Sequence, residues 1–155
     1  MHTIYQTIGR MTMILMNEKY KQLTKDFEGR RLKPYKCTAG KLTIGYGRNL
    51  TDCGITEEEA NMMFEYDFHK AYIDCYRLFD RSYEFEKLPE NVRYVLTDMV
   101  FNMGVSKVQT FKKFLSALKK GLYEDAAKEM LDSKWAKQVG YRAVKLSKIL
   151  LDKPE

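Results

Sequence analysis

Cysteine and histidine are scarce in this chain of 155 residues. The three cysteines, Cys37, Cys53 and Cys75, form no CxxC pair, and the only histidines are His2 and His69. A structural zinc site needs about four such ligands at close spacing, and a disulfide framework needs several paired cysteines. The composition argues against both, and unpaired thiols are typical of proteins that fold where cysteines stay reduced.

Long hydrophobic runs and low-complexity linkers are also missing. The first sixteen residues, MHTIYQTIGRMTMILM, are moderately apolar but contain Gln6 and Arg10 and lack a small-residue cleavage site. They are too short and too polar for a membrane span, which needs about 20 apolar residues, and do not match a signal peptide. We therefore expect residues 1–16 to be an N-terminal extension. Two alternatives stay open: a weakly membrane-associating segment, or a start at a later methionine.

Positive charge is concentrated at one end of the chain. The net charge is +6, and residues 107–155 carry 12 Lys or Arg against 6 Asp or Glu, whereas residues 1–106 carry 15 of each. A basic region favours a polyanionic partner such as an anionic cell wall, a membrane surface or nucleic acid. The alternative is that these lysines only solvate helix faces.

Helical periodicity dominates the sequence, so we predict a mostly helical α+β fold with one small β-hairpin. Residues 17–27 repeat apolar positions at helical spacing and end at Gly29, and Thr56 with Glu59 forms a capping box for a long helix. We predict a single domain over 17–155. Its parts are a small lobe (about 17–55), a connecting helix (about 56–78) and a helical lobe (about 88–151).

One segment, EGRRLKPYKCTAGKLTIGYGR at residues 28–48, combines chemistry-bearing side chains with a glycine-rich hairpin. Glu28 falls at the C-terminal end of a predicted helix, where the macrodipole disfavours a structural negative charge, and such a placement suits a proton donor. Cys37 and Thr43 flank the predicted hairpin turn and can face the same side. A thiolate beside a hydroxyl can hold and deprotonate a water, a layout that matches glycosidic cleavage.

The spacing of these three residues resembles that of the phage-type lysozymes of glycoside hydrolase family 24, especially those of T-even phages. The similarity continues through ITEEEANMMFEYD, VLTDMVFNMG and YEDAAKEMLDSKWAKQVGYRA, and covers about residues 18–145. It implies a lysozyme-like two-lobe fold. It also implies hydrolysis of the β-1,4 bond between N-acetylmuramic acid and N-acetylglucosamine in peptidoglycan, with no metal and no cofactor.

The resemblance also implies roles for individual residues. Glu28 is expected to be the general acid, with Cys37 and Thr43 handling the nucleophilic water, and Arg142 is expected to pair with the catalytic glutamate. Cys37 acts either as a base that activates water, which the resemblance favours, or as a direct nucleophile. Saccharide-binding positions correspond to Asn49, Phe101, Asn102, Phe114 and Glu129.

Some positions depart from the family pattern. Asn49, Phe114 and Glu129 differ from the side chains that the family places there. Arg48 replaces a histidine whose aspartate partner corresponds to Asp67, and we expect an Arg48–Asp67 pair that does not titrate near neutral pH. Among the aromatic residues, we expect Trp135 and Tyr141 in the core and treat Phe101 as a candidate for sugar contact.

The leading interpretation is a monomeric endolysin that accumulates in the host cytoplasm and reaches the wall through a holin-made lesion. On this interpretation the basic region makes weak electrostatic contact with the wall or membrane, and nucleic acid is not a partner. A catalytically inactive peptidoglycan-binding protein is the main alternative, since Cys37 stands where a carboxylate is usual. A nucleic-acid-binding protein is supported by charge alone.

Overall fold

The computed structural model describes residues 5–8, 11–14 and 17–152. The chain divides into two compact units, Met1–Glu57 and Glu58–Glu155, which we call the sheet unit and the helical unit. Within the described residues, no helix is long and apolar enough to cross a membrane. The alternative of a membrane-associating N-terminus falls partly on residues 1–4, 9–10 and 15–16, which lie outside the described ranges.

Five strands and one helix make up the sheet unit. They are β1 (Tyr5–Ile8), β2 (Met11–Ile14), α1 (Glu18–Glu28), β3 (Arg31–Lys36), β4 (Leu42–Gly45) and β5 (Arg48–Asn49). β1 and β2 pair with each other, and β3, β4 and β5 form a separate antiparallel sheet in that order. The predicted hairpin is β3–β4, and β1–β2 is an additional one that the sequence did not predict, in a segment that contains the β-branched Thr7, Ile8, Thr12 and Ile14.

Helix α1 is defined by its two ends. The Asn17 side chain accepts a hydrogen bond from the Lys19 amide at 2.9 Å, which satisfies one of the unpaired N–H groups of the first turn. Gly29 ends the helix with φ +69°, a left-handed value that glycine adopts without steric cost. Glu28 is thereby fixed as the last helical residue, three positions before the sheet begins.

The register of β3 with β4 sets which side chains share a face. Tyr35 lies opposite Thr43 and Lys36 opposite Leu42, with an irregularity between Arg31 and Tyr35. Because alternate strand residues point to the same face, a side chain two positions after Tyr35 lies diagonally across from Thr43. That residue is Cys37, at the start of the turn.

The helical unit contains a long helix followed by shorter ones. They are α2 (Glu57–Cys75, whose first residue belongs to the sheet unit), α3 (Ser82–Glu86), α4 (Glu90–Met103), α5 (Val105–Val108), α6 (Lys112–Lys119), α7 (Tyr123–Leu131), α8 (Lys134–Val139) and α9 (Tyr141–Leu151). A 3-10 turn, Tyr76–Leu78, continues α2. The mostly helical α+β class is confirmed. The short α3 and α5 had no sequence prediction, because four or five residues are too few for a periodicity to show.

The described buried hydrophobic residues form one core, and every one of them lies between Ala71 and Leu150. Phe85 is fully buried, with its ring 5.2 Å from that of Tyr72 and 5.1 Å from that of Tyr76, centroid to centroid. Trp135 is buried as expected. Tyr141 is 78% exposed, so its placement in the core was wrong.

Candidate active site

Glu28 is an exposed residue at the C-terminal end of α1, and its carboxylate lies against the turn that follows β4. A Cβ placed on Gly47 would stand 2.9 Å from Glu28 Oε2. The carboxylate therefore approaches the backbone of Gly47, a residue with φ +81°, more closely than any other residue type would allow.

Cys37 lies at the hairpin turn in surroundings that favour a thiolate. Its amide donates to the Lys41 carbonyl at 3.0 Å, and its own carbonyl accepts from the Gly40 amide at 2.8 Å. The backbone N–H groups of Lys41 and Ala39, directed at the sulfur, hold the pKa of the thiol below its ordinary value, and the Thr43 hydroxyl adds to this effect. Aligned N–H groups of this kind stabilise an anion.

Thr43 is the buried neighbour of this thiol, at 4% exposure. Its hydroxyl donates to the Lys41 carbonyl at 3.1 Å. A hydroxyl carries a single proton, so Thr43 donates either to this carbonyl or to the thiolate, while its lone pairs can accept from a water. Gly47 lies four positions after Thr43 in the chain, so their Cα atoms are at most about 14 Å apart. The sheet unit therefore carries all three predicted catalytic side chains, with Glu28 at the end of α1 and with Cys37 and Thr43 on the β3–β4 hairpin.

Arg142, on α9, forms a bidentate ion pair with Asp98 on α4. The Nε and Nη2 atoms of Arg142 donate to the two carboxylate oxygens of Asp98 at 2.8 and 2.9 Å. This hydrogen-bonded carboxylate raises the pKa of Arg142 above its ordinary value. Sequence reasoning missed Asp98, because a contact 44 residues away leaves no local signal. The pairing of Arg142 with Glu28 stays a prediction.

Phe101 and Asn102, at the end of α4, have different surroundings. Phe101 is 40% exposed, and its ring centroid lies 5.6 Å from that of Phe64 and 6.2 Å from that of Phe68. The Asn102 Oδ1 atom accepts a hydrogen bond from Trp135 Nε1 at 2.8 Å. The indole thus fixes the Asn102 amide, and both residues remain candidates for substrate contact.

The three predicted saccharide positions that depart from the family pattern are already engaged in other contacts. Phe114 is 1% exposed in the core, so its ring offers no surface to a sugar and this assignment does not hold for its side chain. Asn49 accepts from the Asp52 amide and donates to its carboxylate, which makes it a turn-forming residue. Glu129 lies 4.0 Å from Lys113 Nζ, beside a pocket of about 620 Å³.

Arg48 and Asp67 stand in different parts of the chain. Arg48 Nε donates to the Gly54 carbonyl at 2.9 Å within the sheet unit. Asp67, on α2, lines a small pocket of about 240 Å³ together with Phe101, Lys70 and Asp74. The Arg48–Asp67 pair stays a prediction.

These observations define a mostly helical α+β protein whose sheet unit carries an acid at the end of α1 and a thiol and a hydroxyl on the β3–β4 hairpin. The family model described as phage lysozyme matches residues 25–149. The match includes Glu28, Cys37, Thr43 and Arg142 and covers most of the chain. The chain belongs to the phage lysozyme family, and this membership supports a lysozyme function.

Individual relatives agree with that assignment at low identity. A Dictyostelium discoideum protein named "Probable T4-type lysozyme 2" is 28% identical over 154 residues, covering 83% of this chain and 91% of the relative. The endolysin of Acyrthosiphon pisum secondary endosymbiont phage 1 is 32% identical over 126 residues, covering 79% and 80%. The pre-baseplate central spike protein Gp5 of Enterobacteria phage T4 is 29% identical, over 87% of this chain but 28% of its own length.

Proposed function

We propose that this protein is an endolysin that hydrolyses the β-1,4 bond between N-acetylmuramic acid and N-acetylglucosamine in peptidoglycan. The observation that carries the proposal is the environment of Cys37. Two backbone N–H groups and the Thr43 hydroxyl favour the thiolate, which is the form that can take a proton from water. A cysteine retained only for packing would need no such surroundings.

In this mechanism Glu28 protonates the glycosidic oxygen as the bond to the leaving sugar breaks. Cys37 takes a proton from the water that Thr43 orients, and the resulting hydroxide adds to the sugar carbon. An acid and a base that flank the bond with a water between them give inversion of configuration. Direct attack by the thiolate would instead form a covalent thioglycoside and lead to retention. Family similarity favours the first route.

Electrostatic contact with the wall is a second part of the proposal. Lysines on α6, α8 and α9 are exposed. The pocket of about 620 Å³ is lined by four lysines and two carboxylates, namely Lys107, Lys112, Lys113, Lys134, Glu129 and Asp132. Such a surface attracts anionic polymers, and its contribution falls as salt screens the charges. We expect release to the wall through a holin lesion and action as a monomer.

The test is turbidity clearing of outer-membrane-stripped Gram-negative cells, with the released fragments assayed for reducing ends. The variants are Glu28→Gln, Cys37→Ala and, as a matched cysteine control, Cys53→Ala, which removes an exposed thiol. Clearing by the wild type and Cys53→Ala, lost in the other two, supports the mechanism. If only Glu28→Gln loses clearing activity, Cys37 is not the base and the nucleophilic water is bound mainly by Thr43. If the wild type binds purified peptidoglycan without clearing cells, the protein is an inactive binder.

A further inference from the structure

Gly47 differs from the other described glycines in what surrounds its missing side chain. A Cβ built on it would meet Glu28 Oε2 at 2.9 Å and Glu28 Cδ at 3.6 Å. At the other described glycines with positive φ, an added Cβ meets nothing within 4 Å. The space at Gly47 is therefore occupied by one group alone, the carboxylate of Glu28.

We propose that Gly47 is a positioning residue for Glu28, because the absence of a side chain creates the place in which the carboxylate rests. The inference depends on the proposed role of Glu28 as general acid. It assigns to Gly47 a function beyond turn formation, namely to fix where the proton is delivered.

Two properties of glycine are combined at this position, and the chain offers a way to separate them. Gly47 has φ +81° and Gly45, two residues earlier in the same segment, has φ +68°. Any side chain at either position is strained by the left-handed backbone. Only at Gly47 does a side chain also displace Glu28. Gly45→Ala is therefore the matched control for backbone strain.

The displaced group is the far end of a flexible side chain. A glutamate can move its carboxylate by rotating about its own bonds at little cost in free energy of unfolding. The consequence for chemistry is larger, since a misplacement of a reacting group by about 1 Å can cost about 100-fold in rate. Gly47→Ala should therefore lower activity far more than its effect on stability would suggest.

The experiment compares wild type, Gly47→Ala, Gly45→Ala and Glu28→Gln in thermal unfolding and in steady-state hydrolysis of soluble peptidoglycan fragments. We expect the two alanine variants to lose similar amounts of Tm. We expect kcat of Gly47→Ala to fall about 100-fold with KM within about twofold, while Gly45→Ala stays near wild type.

A second measurement uses Glu28→Asp, whose carboxylate is one methylene shorter and so further from an added Cβ. In the Glu28→Asp background, Gly47→Ala should lower kcat by less than about tenfold. A purely structural defect would lower kcat by the same factor in both backgrounds.

The two proposals fail in different ways. If Glu28→Gln is inactive but Gly47→Ala loses no more activity than Gly45→Ala, the positioning role is overturned and the acid role stands. An equal cost of Gly47→Ala in the Glu28→Asp background overturns the positioning role as well. If Glu28→Gln clears cells as the wild type does, the acid role fails, and the inference about Gly47 fails with it.

Discussion

The sheet unit and the helical unit are each stabilised internally by different interactions. In the helical unit, apolar side chains from Ala71 to Leu150 form a buried core. Among residues 17–57 of the sheet unit, Thr43 is the buried residue. Backbone pairing, caps and polar contacts such as the 2.7 Å ion pair of Lys41 with Asp52 define that unit instead. Glu28 and Cys37 therefore lie where substitutions disturb little packing, and activity and stability should separate along the chain.

The largest effect on activity is expected from Glu28→Gln. Loss of a general acid costs about 10²–10⁴-fold in rate. Stability should rise slightly, by roughly 0.3–1 kcal/mol, because a negative charge leaves the C-terminal end of α1. Initial clearing rates and thermal unfolding measure the two effects.

Glu18→Gln is the matched control for the loss of activity and the gain of stability expected of Glu28→Gln. Glu18 lies in the first turn of α1 and pairs with Lys21 at 2.7 Å, which lowers the pKa of Glu18. Its replacement should lower stability slightly and leave clearing unchanged. A Glu28→Gln variant that is both active and destabilised would contradict the assignment of Glu28 as the acid.

The largest effect on stability is expected in the helical unit, from Phe85→Ala. Removing a fully buried aromatic ring should cost about 3–5 kcal/mol in the free energy of unfolding, since the neighbouring rings cannot close the cavity. Urea unfolding measures this loss, and kcat/KM of the folded protein should be unchanged. Tyr83→Ala, which removes an exposed ring from the same helix, serves as control. A loss below about 1 kcal/mol for Phe85→Ala would mean that the core relaxes.

The elements that could be predicted from sequence are those with local signals. Gly29 ends α1 as expected, and α2 begins directly after Thr56, the first residue of the predicted capping box. The β1–β2 hairpin was missed because its short apolar stretches suggested a loose extension. A short run of apolar or β-branched residues does not by itself distinguish a strand from other structure, because the strand that pairs with it is not identified by the sequence.

The candidate site was harder to predict wherever a residue's role depends on distant contacts. Phe114 is buried in the core, where helix α6 packs against helix α7. Resemblance to a family at one sequence position does not show whether that side chain is buried. Asp98 is recognisable only through Arg142, 44 residues away. The sequence showed Gly47 as part of a glycine-rich hairpin and Glu28 as a candidate acid, but it did not show that the two are in contact.

A smaller effect is expected from the Arg142–Asp98 pair of the helical unit. Both side chains are partly screened by solvent, so a double-mutant cycle with Arg142→Met and Asp98→Asn should give a coupling of about 1 kcal/mol in stability. The same cycle between Arg142→Met and Glu28→Gln tests the predicted contact with the acid. Coupling to Asp98 alone would make Arg142 a structural residue of the helical unit.

The smallest effect is a displacement of the pH profile that depends on Cys37. The amides of Lys41 and Ala39 lower the pKa of this thiol, so the thiolate persists below the pH of about 8.5 at which a free thiol ionises. As pH falls through that lowered pKa, the base is protonated and clearing should decline. Cys37→Asp should retain activity to still lower pH, since a carboxylate ionises near 4.

Alkylation of the thiols provides an independent check of this ionisation. Cys37 should react with iodoacetamide at neutral pH, because the thiolate is the reactive form. Cys75 should resist until the protein unfolds, since burial raises its pKa to about 12 and its Sγ lies 3.9 Å from Thr97 Oγ1. Identical pH profiles for wild type and Cys37→Asp would show that the thiol is not the titrating base. The chemistry of the sheet unit would then rest on Glu28 and on water held by Thr43.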